Sequence, residues 1–206
     1  RSSKGRPLVE IPVQLDGSQR MARLAATAST EPALICKGLA VLVASALSQS
    51  VRVVVMHIEG GKPHGDKDVA LSDDAIAQLE AAIESLTSRG VVILCSMRGH
   101  IAASQLHLGA CAHYRIVDAQ TTFDVAHGIL ERLLRPEDAQ SVAVHEVLSA
   151  QAMLDVGFAS EVLDAGTEAR SLRFANWLAG QSPIGLKHML RLTFFTRLSV
   201  LGEDRG

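Results

Sequence analysis

Two segments, Val51 to Ile58 and Val91 to Met97, are almost unbroken runs of apolar, largely β-branched residues. Such continuity marks strands buried on both faces, since a half-exposed strand alternates. Between them, Ser72 is placed to cap a helix whose apolar positions Ile76, Leu79, Ile83 and Leu86 recur at helical spacing, and Gly90 to end it. Leu8 to Leu15 alternates and predicts a strand. Pro32 to Ser48, rich in Ala, Leu and Val, predicts a helix opened by proline. After the second run come a turn at Arg98 to Ala103, a short helix from Ser104 to His113, and strand-like segments at Tyr114 to Val117 and Thr122 to Val125. Asp138 to Leu148 predicts a helix. A short helix capped by Ser149 and stopped by Gly157 follows, then a strand at Glu161 to Asp164, a helix at Thr167 to Leu178, and a last helix opened by Ser182 and Pro183.

Strands alternating with helices imply right-handed crossovers and a mainly parallel sheet covered by helices, so the predicted class is α/β. No repeat, low-complexity tract or linker divides the 206 residues, a length sufficient for one sizeable core. Residues 1–165 form the expected core and residues 166–206 a C-terminal helical region of the same domain.

Composition narrows the function classes. With 48% apolar residues and 20% charged, the chain is not disordered. A formal charge of −2 provides no positive field for nucleic acid, and one Trp and one Tyr provide no stacking platform. The longest apolar run, around Leu39 to Leu47, is too short to span a membrane. Cys36, Cys95 and Cys111 are odd in number and lack CxxC spacing, which predicts buried thiols in a reducing, cytoplasmic compartment. The N-terminal RSSKGRP has no start methionine and no apolar signal core behind it, as expected of an artificial boundary or of an excised domain.

Ligands of parallel sheets collect at the carboxyl ends of strands, which singles out two loops: Gly60 to Val69 and Arg98 to Ser104. The second runs directly into a helix at Ser104, whose first-turn N–H groups and dipole suit a developing oxyanion. Six histidines between His57 and His127 raise a metal site, but no HxxxH or HExxH pair sets two ligands on one helical face, and no metal is expected. His100 is expected in a turn, His57 near a strand end, and His145 and His188 facing solvent. Cys95 in a buried strand and Cys111 on a small-residue helix face are poor nucleophiles, because burial raises a thiol pKa.

The ordered set VRVVVMHIEGGKPHGDKDV, GVVILCSMRGHIAASQLHLGACAHYRIVDAQTTFDVAH and LSAQAMLDVGFASEVLD resembles the crotonase (enoyl-CoA hydratase/isomerase) superfamily from about Val51 to Leu190. The resemblance implies a spiral of ββα repeats assembled as homotrimers or hexamers through the C-terminal helical region. It implies an acyl thioester substrate of coenzyme A or a carrier-protein phosphopantetheine arm, with no further cofactor. By position, the backbone N–H groups of His64 and Ser104 become the oxyanion donors. Gly65, Lys67, Asp68 and Gln105 become substrate-binding residues.

The departures bear on the reaction. Where hydratases of the family carry two glutamates, this chain has His107 and His127, and two neutral imidazoles each offer one donor and one acceptor in place of two carboxylates. A glutamate-type hydration is therefore not expected. His107, placed near the N-terminal turn of its helix, is expected to have a lowered pKa and to act as base or donor. The family's tri-glycine turn is Ala103-Ser104-Gln105, and its aspartate position near the end of that helix is His113. The stretch from His127 to Ser149 is shorter than the family's by about one loop and a helical turn. These residues leave open decarboxylation, dehydration or double-bond isomerisation, as in crotonase-like proteins of polyketide assembly lines. They also leave open a non-catalytic subunit that binds a thioester or a partner protein.

Overall fold

The structure is a computed structural model that describes residues 13–15, 20–27, 30, 32–48, 51–61, 71–125 and 147–191. In chain order its elements begin with β1 (Val13–Leu15), β2 (Met21–Thr27), α1 (Pro32–Ser48), β3 (Val53–Glu59), α2 (Asp73–Ser88) and β4 (Val92–Arg98). Next come β5 (His100–Ile101), α3 (Ala103–Ala110), β6 (Tyr114–Asp118) and β7 (Thr122–Asp124). The chain then forms β8 (Val147–Ser149), α4 (Ala150–Asp155), β9 (Glu161–Leu163), α5 (Thr167–Ala179) and a helix α6 over 183–191.

Six strands form the main sheet in the order β1-β2-β3-β4-β6-β9, and β1 alone runs antiparallel to its neighbour. A second, small sheet joins β5, β7 and β8. β4 and β6 each give a short strand to this second sheet after leaving the first, so the chain winds between the two sheets with helices on the outside. One face of the main sheet (Leu24, Met56, Ile58, Ile93, Cys95 and Met97) packs with Leu42 of α1, Leu79 and Leu86 of α2, and Leu106 of α3. The other face (Met21, Val53, Val55, Val92 and Leu94) packs with Ala175 and Leu178 of α5 and Leu186 and Leu190 of α6. The C-terminal helices thus supply the outer layer of this second core.

The helix signals act where expected. Ser72 accepts from the Ala75 N–H at 3.2 Å, Ser149 from Ala152 at 3.2 Å, and Ser182 from Gly185 at 3.0 Å. Gly90 and Gly157 take left-handed φ values of 82° and 73°. Three expectations are corrected. β2 lies in a segment with no predicted strand, because the alanines of MARLAAT dilute the β-branched signal and pairing with β3 supplies what propensity lacks. The predicted helix Asp138 to Leu148 ends instead in β8, where Leu148 pairs with Phe123; its residues 138–146 lie outside the described ones. The Arg98 to Ala103 turn contains β5, and the helix after it ends at Ala110, not His113.

Arg115 of β6 is 3% exposed. Its guanidinium donates to the Phe158 carbonyl, to the Ala112 carbonyl at 2.6 Å and to the Ala110 carbonyl at 3.4 Å, and lies 4.9 Å from the Phe158 ring centre. Carbonyl dipoles at the end of α3 thereby solvate a buried cation.

Where β3 and β4 end, the two backbones cross. Gly60 N–H donates to the Arg98 carbonyl at 2.8 Å, and a Cβ on Gly60 would lie 2.1 Å from the His100 carbonyl oxygen. Gly99, at φ 84°, brings its own missing Cβ to 2.9 Å from the Gly60 carbonyl oxygen. No side chain fits at Gly60 unless the strand exits separate. Gly60→Ala is expected to cost about 1–3 kcal/mol by overpacking. Gly157→Ala, with open space around it, should cost only the left-handed backbone term of about 1 kcal/mol. Urea unfolding of both variants checks this, and equal losses would mean the crossing has room to relax.

Candidate functional site

β3 and β4 pair in register from Val53 with Val92 to Glu59 with Arg98, so the two strands finish level. The Glu59–Arg98 ion pair at 2.9 Å sits at this exit with both side chains more than half exposed, and adds little energy. Beyond it Gly61 bridges His100, which holds the departing β3 chain against β5. His100 is in turn fixed by its Nδ1, 2.9 Å from Thr122 Oγ1 of β7.

α3 starts immediately after this crossing. Its N-cap is Ala102, which has no side-chain oxygen to accept the first-turn N–H groups. Gln105 answers from within the helix: its Oε1 accepts the Ala102 N–H at 3.2 Å and its Nε2 donates to the Glu59 carbonyl at 3.4 Å. The side chain is 6% exposed and ties the start of α3 to the end of β3. Ser104 is the second residue of the helix, half-buried, and its backbone N–H belongs to the turn where the macrodipole is positive.

His107 is placed differently from the sequence expectation. Because α3 has eight residues, His107 falls in its last turn and not near the N-terminal turn. The ring is 8% exposed and lies one helical turn beyond Ser104. His113 is a structural residue at the other end of the sheet. Its Nδ1 accepts the Ile93 N–H at 2.9 Å and its Nε2 lies 3.3 Å from Thr87 Oγ1 of α2, which fixes the neutral tautomer.

His57 lies two residues before the end of β3, half-buried, with Nδ1 2.6 Å from Ser96 Oγ of β4. Burial lowers its pKa, Glu168 acts in the opposite sense, and Arg23 and Arg98 add to the lowering. Burial pushes the Cys111 thiol up to about 12, with Glu80 adding to the rise, and pushes the Cys95 thiol up as well. Neither is a nucleophile at neutral pH. His188 is exposed. His64, Gly65, Lys67, Asp68, His127 and His145 lie outside the described residues, as does the Cys36 side chain.

Of the predicted site residues, the structure therefore brings Ser104, Gln105 and His107 together on one short helix at the strand exits. The His57–Ser96 pair was not legible as a unit, since nothing short of the β3–β4 register sets the two side by side. Among the described residues no group of three or more His, Cys, Asp or Glu is placed to hold a metal ion, and no helix is long and apolar enough to cross a membrane.

No protein-family model matches the sequence, and no curated protein matches it. Solved structures match over nearly the whole chain. A probable enoyl-CoA hydratase from Mycobacterium thermoresistibile is 19% identical, with a TM-score of 0.68 over 94% of this chain and 90% of that one. Pseudomonas aeruginosa DspI is 19% identical, with a TM-score of 0.70 over 96% and 85%. A putative enoyl-CoA hydratase from Streptomyces coelicolor A3(2) is 15% identical, with a TM-score of 0.66 over 98% and 92%.

Gln105→Leu keeps the bulk but leaves the Ala102 N–H and the Glu59 carbonyl without their partner. The expected loss is about 1–3 kcal/mol in thermal or urea unfolding. Gln105→Glu retains an acceptor for Ala102 and should lose less. A neutral result for the leucine variant would show that the amide does not fasten α3.

Proposed function

We propose that this chain, which has the crotonase-like α/β fold, binds an acyl thioester of coenzyme A or of a carrier protein's phosphopantetheine arm at the carboxyl ends of β3 and β4. The observation that supports this most is the anchoring of the α3 N-terminus at that exit by Gln105 and by the Gly60–His100 crossing. A helix start held this firmly is a preorganised donor, and one such donor in an oxyanion hole is worth about 100- to 1000-fold in rate.

In this proposal the N–H groups of Ser104 and His64 receive the thioester oxygen as it takes on negative charge. Gly65, Lys67 and Asp68 guide the substrate, Gln105 holds in place the helix start that carries the Ser104 N–H, and His107 and His127 move protons. The reaction is decarboxylation, dehydration or double-bond isomerisation of a carrier-bound or CoA-bound acyl group, of the kind polyketide assembly requires. In the decarboxylation case the bond between Cα and the leaving carboxylate breaks, carbon dioxide departs, and the electron pair spreads onto the thioester oxygen until Cα takes a proton. In dehydration the thioester loses its α-proton to give an enolate, whose electron pair then expels the β-hydroxyl as water; in isomerisation of a β,γ-enoyl thioester the α-proton is removed to give a dienolate, which takes a proton back at Cγ. The exposed Trp177 and Ile184 of α5 and α6 support subunit contacts in a homotrimer or hexamer.

A second reading is a thioester-binding subunit without catalysis. It is favoured by the burial of His107 in the last turn of α3 and by the engagement of the Gln105 amide with backbone. A panel of β-carboxy, β-hydroxy and enoyl thioesters of coenzyme A and carrier protein, followed by intact mass, separates the two. Turnover is expected for at least one class, with His107→Ala and His127→Ala each slowing it about 100- to 10,000-fold. Binding without turnover supports the second reading, and neither binding nor turnover overturns both.

A further inference from the structure

His113 stands between the end of α3 and the start of β6, and it makes two bonds to one residue of β4. Its backbone N–H donates to the Ile93 carbonyl at 2.8 Å, and its ring Nδ1 accepts the Ile93 N–H at 2.9 Å. The two strands pair from Leu94 with Tyr114 onward, so one position earlier the imidazole takes the place of a backbone acceptor and extends the ladder. The ring's Nε2 lies 3.3 Å from Thr87 Oγ1 in the last turn of α2. One half-buried ring thus joins β4, α2 and the approach to β6. A backbone N–H can only donate, so Nδ1 serves only while it carries no proton. An imidazolium has a proton on each nitrogen and offers Ile93 no acceptor.

We infer that His113 is an acid-released clasp that holds the amino end of β4 to β6 and to α2. In the neutral ring the proton is on Nε2 and the rung is closed. Once a proton from solvent binds Nδ1, two N–H groups face each other, the ring turns away, and the Ile93 N–H, in a fully buried residue, loses its partner. Charges around the ring act in both directions. Arg115 of β6, which donates to the Ala112 carbonyl at 2.6 Å, disfavours a second cation. On α2, Glu84 and Glu80 precede Thr87 by one and two turns and favour it, while Arg89 at the C-cap opposes them. β4 presents only apolar side chains from Val91 to Leu94, and burial keeps the nearby Cys111 thiol neutral. These fields oppose one another, whereas the clash at Nδ1 has one sign. Stability is therefore full above about pH 6.5 and falls below it, because the unfolded chain takes up the proton without losing a bond.

The test compares the full chain with His113→Asn, whose amide oxygen can accept the Ile93 N–H and does not titrate. Between about pH 8 and about pH 5, urea unfolding should show the wild-type folding constant falling about tenfold further than the variant's, the equivalent of one lost hydrogen bond. Equal falls in the two proteins would overturn the clasp. In NMR spectra of the wild type, the Ile93 amide proton should shift together with the titration of one histidine ring, and that ring should carry its proton on Nε2 at about pH 8. An Ile93 amide that follows no ring, or follows one protonated at Nδ1, would also overturn it. If His113→Asn fails to fold, the NMR titration decides alone. Neither measurement involves a thioester, so the clasp stands or falls separately from the proposed chemistry of the site.

Discussion

β3 and β4 are covered on both faces, so their backbone N–H and C=O groups can find partners only in neighbouring strands. That requirement fixes the register of Val53 with Val92 through Glu59 with Arg98, and the register fixes much else. It sends Val55 and Leu94 to the α5 side and Met56 and Cys95 to the α3 side, so two separate cores grow from one strand pair. A slip by one residue would exchange the faces and bury Arg98 or Glu59. It also levels the strand ends, and without level ends Gly60 could not meet His100.

Strongly periodic or continuous segments could be read from sequence because burial writes itself into them. α2 follows from four apolar positions and a serine cap, and β3 and β4 follow from their unbroken apolar runs. β2 and β8 could not be read in this way. MARLAAT and the VLS of Val147–Ser149 carry little strand signal of their own and become strands because a neighbour offers an unpaired edge. Alternation of strands and helices gave the α/β class, but the short strands that build the second sheet, two or three residues each, are below the length at which a period can be seen.

The candidate site was legible to the same uneven degree. A loop running into a helix at Ser104 is visible in sequence, and the structure keeps it. The length of that helix is not visible, and three fewer residues at its end move His107 from a supposed first turn to the last. Gln105 looked like a group for the substrate because it stands where glycine was expected, yet its amide answers a local need created by Ala102, a cap that has no oxygen. Position in a motif says where a side chain is rooted, whereas its hydrogen bonds depend on which nearby backbone groups lack partners.

Arg115 and Gln105 together have a consequence for how α3 opens. At eight residues, about 12 Å, the helix is too short to persist alone. Helices of this kind ordinarily fray from their ends, but here one end is bound to the Glu59 carbonyl and the other to a guanidinium seated in β6. Releasing either end disturbs a strand of the main sheet. The amides of α3 therefore exchange with solvent only when the sheet itself opens, and helix, β3 and β6 behave as one cooperative unit despite their separation in sequence.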